Sequence, residues 1–269
     1  MAVFLIPDHV KVTRPIGNKR LTINQKIIPD TLKATKRVAS YVLAGQPMKP
    51  CAPLHGDGVP QGITVHNTNM ISPAAGTNAA EQYVRATYNG NMGGVVVHYY
   101  VWHDVIWQAL DDHERGWHAA DGSSRTLSHD GKTMIGGNLD TIAIEAIGPD
   151  AETEETTAAL CAYLCQEYNL LPSRDIYTHK YFSGKECPVY ILPHWDAFLA
   201  QVAAIYLHDV GGDTAGETPV ETSPDDTPDS WAESSWKWGH ALGLVTSSKP
   251  REPITTQQLL VILDRYNQL

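Results

Sequence analysis

Residues 209–230, DVGGDTAGETPVETSPDDTPDS, divide the chain: they are built from Gly, Pro, Thr and Asp and carry seven acidic residues with no Lys or Arg. So few apolar side chains cannot offset the entropy of ordering the backbone, and the segment reads as an acidic flexible linker. Folding is left to a body of about 208 residues and a tail of about 39. At 42% hydrophobic and 19% charged residues, the chain has material for a sizeable core. No run approaches the ~18 consecutive apolar residues of a membrane span. The N-terminus, MAVFLIPDHV, has no basic region and no cleavage site of the secretory type, so the expectation is synthesis in the cytoplasm without a signal peptide. Four cysteines are too few for a disulfide scaffold.

The net charge of -10 is unevenly spread. Residues 1–50 hold nine Lys/Arg against Asp8 and Asp30, a net +7, and the rest of the chain carries -17. An acidic body disfavours nucleic acid as a partner. The basic stretch reads as a solvated face or a contact for an anionic polymer.

The body alternates strand and helix signals. Gly62–His66 is a short β-branched run ending in polar Asn67, Thr68 and Asn69. Asn78–Tyr88 fits an amphipathic helix, and Val95–Val101 with Val105–Leu110 a hairpin around Trp102-His103-Asp104. Thr141–Ile147 is a buried strand, and Thr153–Tyr168 a helix with acidic residues near its N-terminal end. Ile176–Thr178 is a short strand and Trp195–Leu207 a closing helix. The pattern predicts an α/β fold: a central mixed β-sheet flanked by helices, with a small C-terminal helical module. The expected organisation is an N-terminal extension over 1–55, a catalytic domain over 56–208, the linker over 209–230 and the module over 231–269. Within the extension, Asp30–Leu43 is a candidate helix capping the sheet or covering the cleft. The tail is expected to form two helices, about Ser230–Leu242 and Thr255–Tyr266.

Most of the twelve histidines need no special role. His66 and His179 differ, because each ends a predicted strand, and Cys187 follows His179 by eight residues across a Ser183-Gly184 turn. Two imidazoles and a thiolate make a three-ligand zinc site with a fourth position open. The same residues admit a cysteine peptidase with Cys187 as nucleophile, although both histidines precede the cysteine and Pro188 follows it. Glu145 is the only charge in TIAIEAI, where a carboxylate is costly unless paired or used. Lys185 lies two residues before Cys187. Cys161 and Cys165, one helical turn apart, read as buried small residues, since a disulfide across that spacing is geometrically poor.

In order, ITVHNT, HYYVW…IWQAL…WHAADG, TIAIEAIG and THKYFSGKECP resemble the zinc-dependent N-acetylmuramoyl-L-alanine amidase family, which also includes the peptidoglycan recognition proteins. The match spans roughly residues 60 to 200. The resemblance implies one Zn²⁺ held by His66, His179 and Cys187, with Glu145 as general base and Lys185 stabilising an oxyanion. It places His118 among residues lining the substrate cleft, with Trp117 and Asn67 as further candidate substrate contacts, and Val97 where some members carry a tyrosine. The implied activity is hydrolysis of the amide between N-acetylmuramic acid and L-alanine by a zinc-activated water, with bacterial peptidoglycan as partner. A separate tail and no signal peptide imply a phage or prophage endolysin released through a holin. A cytosolic enzyme recycling anhydro-muropeptides and a non-catalytic peptidoglycan-binding module are the alternatives. The tail, WAESSWKWGHALGLV…KPREPITTQQLLVILDRY, resembles one repeat of an S-layer-homology-like module. That implies a secondary cell-wall polymer as ligand, the alternative being a helical hairpin that docks on the body or forms a homo-oligomer.

Overall fold

In the computed structural model, the described residues are 8–16, 19–28, 58–68, 78–89, 91–92 and 95–210. The expected Asp30–Leu43 helix and the two tail helices lie outside them. The chain divides into two units, Met1–Tyr206 and Leu207–Leu269, and the fold below is that of the first.

Seven strands form one mixed sheet. In chain order they are β1 (Val10–Ile16), β2 (Lys19–Gln25), β3 (Gly62–Thr68), β4 (Tyr99–Trp102), β5 (Val105–Gln108), β8 (Thr141–Ile147) and β9 (Ile176–Thr178); a small ribbon pairs β6 (Thr126–Leu127) with β7 (Met134–Ile135). The spatial order is β1-β2-β5-β4-β8-β3-β9. The four strands β4, β8, β3 and β9 run parallel, so their C-terminal ends share one edge. Helices α1 (Ala79–Tyr88), α2 (Gly137–Asp140), α3 (Ala151–Glu167), α4 (Pro172–Asp175), α5 (His179–Ser183) and α6 (Trp195–Val210), with a 3₁₀ turn over Leu192–His194, complete the described elements.

Strand alternation sets the two faces. Ile142, Ile144 and Ala146 of β8 join Ile63, Val65, Tyr99 and Val101 in a core closed by Leu160, Cys161, Leu164 and Cys165 of α3 and by Phe198 and Val202 of α6. Ala143 and Ile147 of β8 join Val97, Tyr100 and Trp107 in a second cluster under Ala79, Ala80 and Val84 of α1. Side-chain caps fix the starts of α1 and α3: the Asn78 side chain accepts from Glu81 N–H, and Asp150 accepts from Thr153 N–H.

Two differences from the sequence reading have clear causes. The predicted strand over Val95–Val101 begins only at Tyr99. Before it, Val96 pairs with Trp117, and the buried His98 ring enters the ladder in place of a backbone carbonyl, its Nδ1 accepting from Ala143 N–H at 2.9 Å while Nε2 meets Glu114 O at 2.8 Å. His98 therefore serves the fold. The second difference is the N-terminal stretch. β1 and β2 extend the sheet, with Ile16, Leu21 and Ile23 buried in the α3-side core. The signal is present as alternation (Val10, Val12; Leu21, Ile23) on either side of Gly17-Asn18, but basic residues between the apolar ones mask it.

Candidate active site

The C-terminal edge of the parallel strands is where open α/β sheets place ligands, and the predicted residues converge there. His66 sits opposite Glu145 in the β3–β8 register. Both point to the α1 side, because their neighbours Val65 and Ile144 fill the α3 side. β9 ends at Thr178, whose side chain caps α5 at Tyr181 N–H, so His179 opens the helix on the same edge. Gly184 closes that helix at φ 75°, a left-handed conformation glycine adopts without strain. The chain then turns back, and Lys180 N–H donates to Cys187 O at 2.9 Å.

His66 Nδ1 and His179 Nδ1 are 3.1 Å apart, and buried His66, His179 and Cys187 each bring a donor atom within 4.8 Å of the others. Cys187 Sγ accepts from Asn67 N–H at 3.5 Å. Burial drives His66 well below its ordinary pKa, with His118, His179 and Lys185 adding to the shift. Burial and Lys185 bring His179 down to about 4. Both imidazoles are therefore neutral and free to ligate. Burial lifts the Cys187 thiol to about 11, with Glu145 adding and the Asn67 backbone N–H and Lys185 opposing. A thiol so placed is a poor thiolate nucleophile without a cation beside it. Two neutral imidazoles and a thiol that a cation would ionise suit zinc.

The Glu145 carboxyl is raised to about 8 by burial, against the pull of Lys185. Lys185 is exposed, near enough for its charge to act on His66, His179, Glu145 and Cys187. Tyr83, from α1, brings its hydroxyl to Thr68 Oγ1 at 2.9 Å and feels the charge of Glu145.

Of the predicted substrate contacts, His118 is buried and the Asn67 side chain is hydrogen-bonded within the fold. His118 is 7% exposed and sits behind His66, with Nδ1 3.0 Å from His66 Nε2. The amide of Asn67 is engaged in the fold: Nδ2 donates to Ala146 O at 3.1 Å, and Oδ1 accepts from Tyr190 and Ile191 N–H at 3.2 and 3.3 Å. It thereby pins the loop that follows Cys187. Trp117 is half-buried and pairs through its backbone with Val96. Val97 is buried under α1 and supplies no hydroxyl. Tyr83 and Asn138, both in this neighbourhood, carry no spacing signal in the sequence.

A model of the N-acetylmuramoyl-L-alanine amidase family matches residues 56–190. The chain belongs to that family. Among amidases of Bacillus subtilis (strain 168), CwlH is 33% identical over 149 residues, 54% of each chain. XlyA is 34% identical over 145 residues, 52% of this chain and 43% of XlyA. The chain thus spans about half the length of the curated relatives it matches. Among solved structures, the catalytic domain of XlyA superposes with a TM-score of 0.51 at 29% identity, covering 67% of this chain and 98% of that domain. The catalytic domain of PlyG reaches the same TM-score at 22% identity over 73% of this chain and 99% of its own, a likeness of fold. The mixed sheet with flanking helices is that of the family's catalytic domains.

Proposed function

We propose that the chain hydrolyses the amide bond between N-acetylmuramic acid and L-alanine in bacterial peptidoglycan, with Zn²⁺ as cofactor. The observation that carries this reading is the convergence of His66, His179, Cys187, Glu145 and Lys185 on one sheet edge, on a chain that belongs to the amidase family. His66, His179 and Cys187 would hold the ion. Zinc in such a site makes a water acidic near neutrality and polarises a carbonyl.

The remaining chemistry belongs to the protein. Water adds to the lactyl carbonyl carbon, the C–N bond breaks, and the products are a lactyl carboxylate and a free L-alanine amine. Glu145 is suited to carry the proton from water to the departing nitrogen, because burial holds its pKa near working pH. The Lys185 ammonium offsets negative charge developing on the carbonyl oxygen. Digestion of purified walls, followed by amine labelling and mass spectrometry, should show new L-alanine amino termini. New reducing sugar ends would mean a glycosidase, and new D-amino-acid amines an endopeptidase.

The organisation supports an endolysin that meets the wall after release from the cytoplasm. Residues 231–269 act in this reading as a module for a secondary wall polymer, since Trp231, Trp236 and Trp238 are many for so short a tail without a partner surface. A homo-oligomer through the same tail is the competing outcome.

A further inference from the structure

His118 and Asn138 have no part in the chemistry above, yet both are buried beside the site, at 7% and 1% exposure. His66 turns Nδ1 toward His179 and Nε2 toward His118, whose Nδ1 is 3.0 Å away. With His66 Nδ1 kept as a ligand atom, its Nε2 bears the hydrogen and His118 Nδ1 accepts it. His118 is itself held through its backbone. Asn138 Oδ1 accepts from both His118 N–H at 2.7 Å and Ala119 N–H at 2.8 Å, while Nδ2 donates to Gly122 O at 3.2 Å. The grip is reciprocal: Asp121 accepts from Gly137 N–H at 2.6 Å and Asn138 N–H at 3.3 Å. The two segments approach so closely that a Cβ at Gly137 would collide with that of Ala119.

We propose that Asn138 and His118 are positioning residues in series. Asn138 fixes the backbone of His118, and His118 fixes the ring orientation and tautomer of His66, so that Nδ1 is presented as a metal donor. A buried ligand histidine whose second nitrogen lacked a partner would lose both ring orientation and basicity, and such outer partners are typically worth ~10–100-fold in metal affinity. The proposal rests on the metal reading above.

The test is zinc affinity of the full chain, measured by competition with a chromophoric chelator, alongside thermal melting and hydrolysis of soluble muropeptides. His118→Ala and Asn138→Ala should each weaken zinc ~10–100-fold. His118→Asn should recover most of the loss, because its Oδ1 lies where the imidazole Nδ1 was. Asn138→Ala added to His118→Ala should cost little more, as expected when one residue acts only through the other. If His118→Ala does not fold, His118→Phe replaces it as the variant lacking an acceptor. Unchanged zinc affinity with a raised KM would overturn the proposal and make His118 a substrate contact. Failure of His118→Asn to recover affinity, or full additivity of the two alanine changes, would overturn it as well. Wild-type protein that takes up no zinc would sink the metal reading together with this one. Zinc uptake and wall hydrolysis by wild type, with indifferent variants, would sink this one alone.

Discussion

Glu145 and Lys185 show how little of a residue's role lies in its own chemistry. On a solvated loop, a glutamate is ionised at neutral pH and moves no proton there. At the C-terminal end of β8, burial raises it to about 8 while Lys185 pulls the other way. Glu145→Gln keeps the shape and removes the titratable proton; Lys185→Ala removes a charge from an exposed side chain. Both variants should fold and hold zinc, and each should lower kcat by ~10²–10³. Near wild-type turnover at either position, in single-turnover and steady-state assays, would take that residue out of the mechanism. Glu145 was legible in the sequence because a lone carboxylate stood in an apolar strand. His118 was legible only as a neighbour of the site, because it meets His66 across 52 positions and Asn138 from twenty residues further on.

Among the elements, two joints decide how the sheet is held. Asp112 ties three of them, accepting from Tyr99 of β4 at 2.9 Å, from Tyr168 at the end of α3 at 2.9 Å and from Gln108 of β5 at 3.0 Å. Burial raises its pKa from 3.8 to about 6 despite the tyrosine hydrogen bonds. The folded state therefore binds a proton that the unfolded state has lost between these values. Stability from this group is full below pH ~4 and is lost as pH rises to ~6, by at most about 3 kcal/mol. Asp112→Asn should flatten that part of a stability-against-pH curve measured by urea denaturation. An unchanged slope would mean that the carboxyl titrates alike in both states. The second joint is the β1–β2 hairpin, within the expected N-terminal extension. Ile23 is 3% exposed in the α3-side core, so Ile23→Ala should cost ~2–4 kcal/mol as a lower urea midpoint. A loss under ~0.5 kcal/mol would show that the hairpin is dispensable to the folded body.

At the scale of the whole molecule, the expected linker sets the experiment. α6 runs to Val210, so truncation should follow that residue and spare the helix. The truncated protein should hydrolyse soluble muropeptides like the full chain and cosediment less with intact walls, because an anchored tail raises local substrate concentration. Undiminished wall binding would remove the targeting role from residues 231–269. Conversion of a dimer to a monomer on truncation would give that segment an assembly role instead.

The sequence by itself determined the α/β class, the strands that carry the chain to His66 and His179, and the lone Glu145, although β3 runs two residues past His66 to Thr68 and His179 opens a helix where it was expected to end a strand. Each rests on local periodicity or on a charge out of place, which a single segment displays. Only the tertiary structure decided that β1 and β2 join the sheet, that His98 replaces a carbonyl in the ladder, that Asn67 bonds the loop after Cys187 and that His118 lies against His66. Those contacts are set by which buried polar group finds its partner across 45 to 124 positions of sequence. That pairing is fixed by the packing of the sheet and helices, and the spacing of residues along the chain does not contain it.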